Sequence, residues 1–390
     1  MAFVRHRHVL TGDAGTYNVV IIGGGVAGAC TALALLLQGV GNILILESGD
    51  YGADRLGESL PPNIRMAFDR LSISQDFANQ KHEPCYGSCS VWGRAEPGFN
   101  DFLLNPLGHG WHVDRRGFDQ FLANLAVSRG AKLWTQTRYR RAQTLPGGGL
   151  RLHVSTTSGP GGSIDAGFVV DASGHNGRFA SDMGAKRLQL DQLFFAAAYF
   201  RLPEAFDFPR QTLLEAVDYG WWYAALLPNH SAVVNIATDL NIIRQRKLNL
   251  QAGLLDSLKQ TQLIASRPLA AHFEPDSLRV RTLPVFQLDN PTGDNWIAVG
   301  DAASAFDPLS SQGIYKAVAD GSEASRLISA KLSGMGDQSE RYRRYIAKNF
   351  DDFVRNRNYF YSQEQRWPQS PFWLNRWSAG RSVAGQPRAA

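Results

Sequence analysis

The feature that most constrains this chain is a short apolar run that ends in a glycine cluster. Tyr17 to Ile22 reads YNVVII, a continuous β-branched stretch of the kind that forms a strand buried on both faces of a parallel sheet. Gly23-Gly24-Gly25-Val26-Ala27-Gly28 follows at once, and then an Ala/Leu-rich helix from Ala29 to Leu37. Gly23 permits the tight turn, Gly25 lets a pyrophosphate approach the helix N-terminus, and Gly28 lets helix and strand pack closely. A second strand, Asn42 to Leu46, ends at Glu47 and Ser48, with Glu47 placed 19 residues after Gly28. That is where an acid accepts hydrogen bonds from a ribose, and an acid there disfavours a 2′-phosphate. The segment predicts a dinucleotide site.

Composition narrows the class. At about 150 residues per domain, 390 residues make two or three domains. A hydrophobic share of 44% against 19% charged excludes a disordered chain, a coiled coil and a charge-rich repeat array. No stretch approaches the roughly 20 apolar residues that span a bilayer. The formal charge of +5 is too mild to indicate nucleic acid, and no stacking or groove-binding motif is visible. Three cysteines, Cys30, Cys85 and Cys89, fit a reducing compartment, and the Cys85-x3-Cys89 spacing leaves a redox pair open. No His/Cys cluster completes a metal site. The N-terminal stretch MAFVRHRHVLTGDAG lacks the apolar core of a secretory signal, so the cytoplasm is the default location.

Two later motifs select FAD. Phe168 to Gly174 is an apolar strand running into Asp-Ala-Ser-Gly, and Trp296 to Val299 runs into Gly300-Asp301-Ala302-Ala303. The latter is a strand ending in an acid that can accept a ribitol hydroxyl, before a turn and a helix whose free N–H groups face a phosphate or a flavin. With Asp307-Pro308 and Gln312-Gly313-Ile314, these stretches resemble, in order, the landmark motifs of the class A flavoprotein monooxygenases. The resemblance implies an α/β fold: a Rossmann-like FAD-binding domain of the glutathione-reductase type, a smaller antiparallel-sheet substrate domain, and C-terminal helices. It implies Gly300 and Asp301 at the ribitol, Gln312, Gly313 and Ile314 beside the isoalloxazine, and Arg115 near the FAD phosphates. The FAD-binding domain is expected over 15–85, 105–185 and 275–335, the substrate domain over 86–104 and 186–274, and a helical segment and frayed tail over 336–390.

Further stretches narrow the resemblance to the flavin-dependent tryptophan-halogenase superfamily and its hydroxylase relatives. They are Gly57-Glu58-Ser59-Leu60-Pro61-Pro62, Ser90-Val91-Trp92-Gly93, Asp307 to Ile314, and Glu364 to Pro368 with Phe372-Trp373. With Gly220-Trp221-Trp222-Tyr223 and Leu227-Pro228, the chain is most similar to the maturation monooxygenases of the tryptophylquinone enzymes, which hydroxylate a tryptophan of a partner protein. The halogenases' lysine and their Trp-x-Trp-x-Ile-Pro segment are both missing: Glu83 to Ser88 fills the lysine region, and Lys81 is out of place. The implied chemistry is hydroxylation of an indole by a flavin C4a-hydroperoxide formed with O2. Electrons come from NAD(P)H or a separate flavin reductase. The alternatives are a halogenase or hydroxylase of a free small aromatic, an alkene-reducing enzyme of the geranylgeranyl-reductase type, and a binding module retaining FAD as a relic.

Trp92, Trp221, Trp222 and Tyr223 are the pocket candidates, on adjacent strands read over Leu213–Tyr223 and Ala232–Thr238. Glu58, His109 and His112 are candidates for the base that takes the ring proton. From Arg341 to Ala390 there are 10 Lys and Arg against 3 Asp and Glu, with 11 aromatics. Tyr345, Phe350, Phe353 and Tyr359 share a helical face there. The segment is either a cap on the substrate domain with solvated arginines, or the dock for an acidic partner protein.

Overall fold

The computed structural model describes residues 13–384 apart from Ser158 and Pro160. Residues 1–12 of the N-terminal stretch and residues 385–390 of the tail read from the sequence lie outside these residues. The Asp13–Ile22 strand is the centre of the first sheet, flanked in parallel by Ile43–Leu46 and Gly162–Asp171, with Lys132–Trp134 and Trp296–Ala298 beyond them. Val19, Val20 and Ile21 are wholly buried, because crossover helices cover the sheet and leave a central strand no wet face. The Val26–Leu37 helix packs against Gly313–Leu332 and Arg115–Ser128, and nine of its twelve residues are buried. Small alanines let these helices approach closely.

The second sheet is mainly antiparallel, in the order Ser304–Ala305, Arg279–Leu288, Arg187–Arg201, Ser231–Thr238, Gly220–Leu227, Thr212–Val217, Gly87–Val91, Gly98–Asp101. Only the Thr212–Val217 and Gly87–Val91 pair is parallel among them. Two expectations change here. The single strand read over Leu213–Tyr223 is a hairpin that turns at Asp218-Tyr219, and Gly220, at φ +155, abuts the Ala237 carbonyl where a Cβ would come within 2.2 Å. Residues 279–288, expected with the FAD-binding segment, pair instead along the 187–201 strand, since their side chains complete the second sheet. A third, three-stranded sheet of Ser59–Leu60, Gly110–His112 and Glu83–Cys85 joins the two.

The Ser339–Gln363 and Pro371–Ala384 helices close the molecule. Buried Tyr342, Ile346, Phe350, Phe353, Arg357 and Tyr361 form the inward stripe, whereas Tyr359, expected on that face, is 60% exposed. Trp373 Nε1 donates to the Val217 carbonyl at 3.0 Å, and Trp377 Nε1 donates to the Tyr361 carbonyl at 2.9 Å, so the helices cap the second sheet. Arg357 and Arg376 are buried and ion-paired, not solvated. Arg344 and Arg355 remain exposed, paired with Glu340 and Asp352.

Candidate active site

A cavity of about 1060 Å³ runs between the two sheets, from Ser48 and Arg138 at one end to Phe195, Trp221 and Tyr223 at the other. Its first end is built by the glycine turn. Gly23, at φ +113, lies so close to the next strand that a Cβ would meet the Ala172 carbonyl at 2.2 Å. Gly28 is tighter still, 2.0 Å from the Gly23 carbonyl, and so fixes the helix against its strand from behind the cavity wall. No side chain caps the Val26–Leu37 helix at Gly25, which leaves its first N–H groups for a ligand. Glu47 is buried and anchored: Gly24 N–H donates to its Oε2 at 2.9 Å, and Gly49 N–H to its Oε1 at 2.8 Å.

Two arginines converge on the cavity wall near the glycine turn. Arg55 reaches Glu47 Oε1 at 3.2 Å and Asp119 Oδ2 at 2.9 Å, and Arg115 grips Asp119 through Nε at 2.8 Å and Nη2 at 3.0 Å. Arg115 also donates to the Leu56 carbonyl at 2.7 Å, so it is a built part of the wall and not a solvated helix-start residue. Arg55 has no motif to announce it, and sequence reading missed it.

Midway, Asp301 is exposed to the cavity beside Gly313 and Ile314. Its turn is held by Gly300, at φ +58 with a Cβ position 2.7 Å from the Ala27 Cβ. The buried Lys316–Asp320 pair, 2.6 Å apart, clamps the same residue: Lys316 Nζ donates to the Gly300 carbonyl at 2.8 Å, and Gly300 N–H donates to Asp320 at 3.1 Å. Gly28, Gly300 and Gln312 do not line the cavity, and the first two shape it from behind.

The far end is aromatic. Trp221 is buried edge-on to Phe195, with ring centroids 5.6 Å apart, and its Nε1 donates to the Tyr361 hydroxyl at 3.0 Å. That hydroxyl donates to Asp307 Oδ2 at 2.9 Å, which also accepts from Arg357 Nε at 3.1 Å. Phe306, Asp307 and Asn235 line the cavity here, and Asn235 and Phe195 went unnoticed in the sequence. Glu58 also lines this end; burial pushes its carboxyl up to about 7, and its Oε1 has no hydrogen-bond partner. Such a group can take or give a proton near neutrality.

Four expected pocket or base residues are elsewhere. Trp222 points to the opposite face from Trp221 and Tyr223, toward Tyr219, because strand side chains alternate. Trp92 lies against the C-terminal helices, its Nε1 donating to the Phe360 carbonyl at 2.8 Å. His109 packs on Trp111 and Tyr86 outside the cavity. His112 is buried behind the wall, and burial lowers it to about 4, so it stays neutral and cannot take a ring proton directly. Cys30, Cys85 and Cys89 are buried free thiols, and burial raises the pKa of each. Among the described residues, no helix is long and apolar enough to cross a membrane.

The Gly25 cradle, anchored Glu47, paired arginines and exposed Asp301 are the donor set that an FAD would need, ordered along one cavity. The sequence profile of the tryptophan halogenase family matches residues 18–98 and 92–382. Over 363 residues the chain is 30% identical to the putative FAD-dependent oxidoreductase LodB of Marinomonas mediterranea, covering 93% of this chain and 97% of that one. The myxobacterial chondrochloren halogenase CndH superposes with a TM-score of 0.82 at 22% identity, over 93% of this chain and 86% of that one. The peptidyl tryptophan dihydroxylase QhpG, essential for tryptophylquinone cofactor biogenesis, superposes with a TM-score of 0.74 at 21% identity, over 93% and 78%. This chain is thus an FAD-dependent enzyme and belongs to the tryptophan halogenase family.

Proposed function

We propose that this enzyme is a monooxygenase that hydroxylates an indole ring, that of a tryptophan side chain in a partner protein whose quinone cofactor is being built. One observation carries the reading: the aromatic end of the cavity presents Phe195, Trp221, Tyr223 and the Glu58 carboxyl, and no lysine among its described lining residues. Halogenation by the family's route needs a lysine at the oxidant. Lys316 is locked on Asp320 and Gly300, and Lys81 is exposed in a loop outside the cavity. Reduced FAD, when bound, supplies oxygen activated from O2.

The chain's own residues do the rest. Glu47 and Ser48 receive the adenosine ribose, and Gly23, Gly25, Val26, Ala27 and Gly28 make the cradle in which the helix N-terminus, Arg55 and Arg115 balance the phosphates. Asp301 receives the ribitol, on a turn that Gly300 shapes from behind, and Gly313 and Ile314 edge the isoalloxazine just after Gln312, the residue that precedes their helix. Phe195 and Trp221, packed edge-on to each other, form one aromatic wall against which the substrate ring lies and from which water is excluded. Glu58 takes the ring proton. Tyr359, Phe360 and the exposed Arg344 and Arg355 of the C-terminal helices offer the partner protein a docking face, and QhpG supports a peptidyl substrate by likeness. Electrons arrive from NAD(P)H or from a separate flavin reductase.

The test supplies FAD, a flavin reductase, O2 and N-acetyltryptophanamide in buffers with and without bromide. A product heavier by one oxygen, unchanged by bromide, is expected. A brominated indole would select the second reading, halogenation of a free aromatic, which the family match and the CndH likeness favour. The alkene-reductase alternative calls for an apolar tunnel, whereas Glu58, Asn235 and Arg281 line this cavity.

A further inference from the structure

The aromatic end of the cavity lies on a sheet face where cross-strand pairing sets out the side chains in rows. Arg281 pairs with Phe195, Phe195 with Ala237, and Ala237 with Trp221, so these four project from one face in a line across four strands. The neighbouring row, two residues along, is Arg279, Ala197, Asn235 and Tyr223. The first row runs from the buried Trp221 and Phe195 to an exposed Arg281. Ser304–Ala305 pairs with the 279–288 strand only at Phe286 and Gln287, so at Arg281 that strand is the open edge of the sheet. Arg281 lines the cavity, yet among the described residues no carboxylate pairs with it, and its one hydrogen bond is a long 3.5 Å contact to the adjacent Val280 carbonyl. Nearby charges are already matched, Asp307 by Arg357 and Asp119 by Arg115. On the second row Asn235 is buried and lines the cavity, and its Oδ1 has no hydrogen-bond partner. One aromatic wall thus carries two polar groups that the protein leaves for a ligand.

A guanidinium is charged at every working pH and can only donate, so an unpaired one beside an apolar wall suits an anion that arrives with the ligand. We infer that Arg281 pairs with a carboxylate carried by the substrate, and that this end of the site selects aromatic rings bearing an acidic group at their outer end. The ring lies on Phe195 and Trp221, and the charge stays at the sheet edge, where it keeps part of its water. A carboxylate placed deeper would lose hydration and meet only cations that are already paired. The acidic group belongs either to a small aromatic acid or to an acidic side chain beside the target tryptophan of a partner protein. Arg281 determines specificity and takes no part in oxygen transfer. The inference rests on the aromatic-substrate reading above and names the second group by which the substrate is recognised.

Two pairs of probes of nearly equal shape separate charge from size: N-acetyltryptophan against N-acetyltryptophanamide, and acetyl-Trp-Glu-amide against acetyl-Trp-Gln-amide. Binding to the FAD-loaded enzyme is measured by calorimetry, so the result does not depend on which product forms. In at least one pair the acid is expected to bind about three- to tenfold tighter, between the worth of a surface ion pair and that of a charge-assisted hydrogen bond. A preference in the first pair assigns a small aromatic acid, and one in the second assigns an acidic peptide. Arg281→Met should abolish the preference, and Arg281→Lys should keep part of it, since the charge remains and the planar fork is lost. Arg279→Met, on the same face but outside the cavity, should leave it unchanged. FAD affinity, read by flavin titration, should be that of wild type in all three variants. Equal affinities within both pairs, a preference that survives Arg281→Met, or an equal loss with Arg279→Met would overturn the inference. Weakened FAD binding in Arg281→Met would do the same, by assigning the guanidinium to the cofactor. Failure of every probe to bind would overturn the aromatic-substrate reading itself, and this inference with it.

Discussion

The two ends of the cavity are built on opposite principles. The glycine-turn end is local: Gly23 to Gly28 are six consecutive residues, and Glu47 directly follows the next strand of the same sheet. Its geometry is enforced by backbone, at contacts too close for any Cβ. The aromatic end is assembled from afar. Trp221 is held by Tyr361, 140 residues away, and Asp307 by Arg357, 50 away, while Glu58 and Ser59 reach it from a separate small sheet. A site made of backbone tolerates almost no change at its glycines. A site made of side-chain networks can be retuned member by member.

The sharpest way to break this contrast is Gly28→Val. The new side chain would drive into the Gly23 carbonyl, and we expect no FAD-bound protein, seen as loss of flavin absorbance on purification. Next is Arg357→Met, which strands Asp307 in the interior without its cation and leaves Asp191 only Arg376, 3.5 Å away. Breaking a buried pair from one side costs about 3–5 kcal/mol, to be read from urea unfolding. An FAD affinity that stays near wild type would show that the ends are independent.

Glu58 makes a pH-dependent comparison. Its ordinary pKa of 4.5 is raised to about 7 in the fold, so the folded state binds this proton more tightly than the unfolded chain does. The stability it contributes is present below about 4.5 and lost as pH rises through about 7, on the order of 3 kcal/mol. Unfolding free energies of wild type and Glu58→Gln should therefore diverge between pH 5 and pH 8, with wild type losing more. Parallel profiles would mean that the carboxyl titrates normally.

Glu47→Ala should weaken FAD binding by about 1–3 kcal/mol, the worth of charge-assisted bonds to a ribose, measured by flavin titration. Unchanged affinity would remove Glu47 from the ribose. The smallest effect belongs to Trp92→Phe, which loses one hydrogen bond to Phe360 for about 1 kcal/mol of stability. Product formation should persist; its loss would return Trp92 to the site.

The strand–turn–helix, Glu47, Asp301 and the buried parallel strands are legible in the sequence because each depends on near neighbours in the chain and on what glycine alone permits. Period-two alternation by itself separates Trp222 from the pocket, since Trp221 and Tyr223 share one face of their strand and Trp222 takes the other. The adjacent tryptophans invite a joint reading that a strand forbids. Trp92, His109 and His112 are misplaced for another reason. Their motifs identify a family but carry no information on which side of a wall a ring will point. Arg55 and Asn235 carry no periodic or spacing signal at all.

What the sequence determined by itself was the strand–glycine turn–helix and the layered α/β fold around it, because backbone sterics and hydrophobic periodicity act over a few residues. Tertiary structure alone decided which rings face the cavity, which C-terminal arginines are buried, and that the Glu58 carboxyl sits at the aromatic end with a raised pKa. Those outcomes depend on burial and on partners contributed from distant parts of the chain, and desolvation is a property of the packed molecule, not of any segment of it.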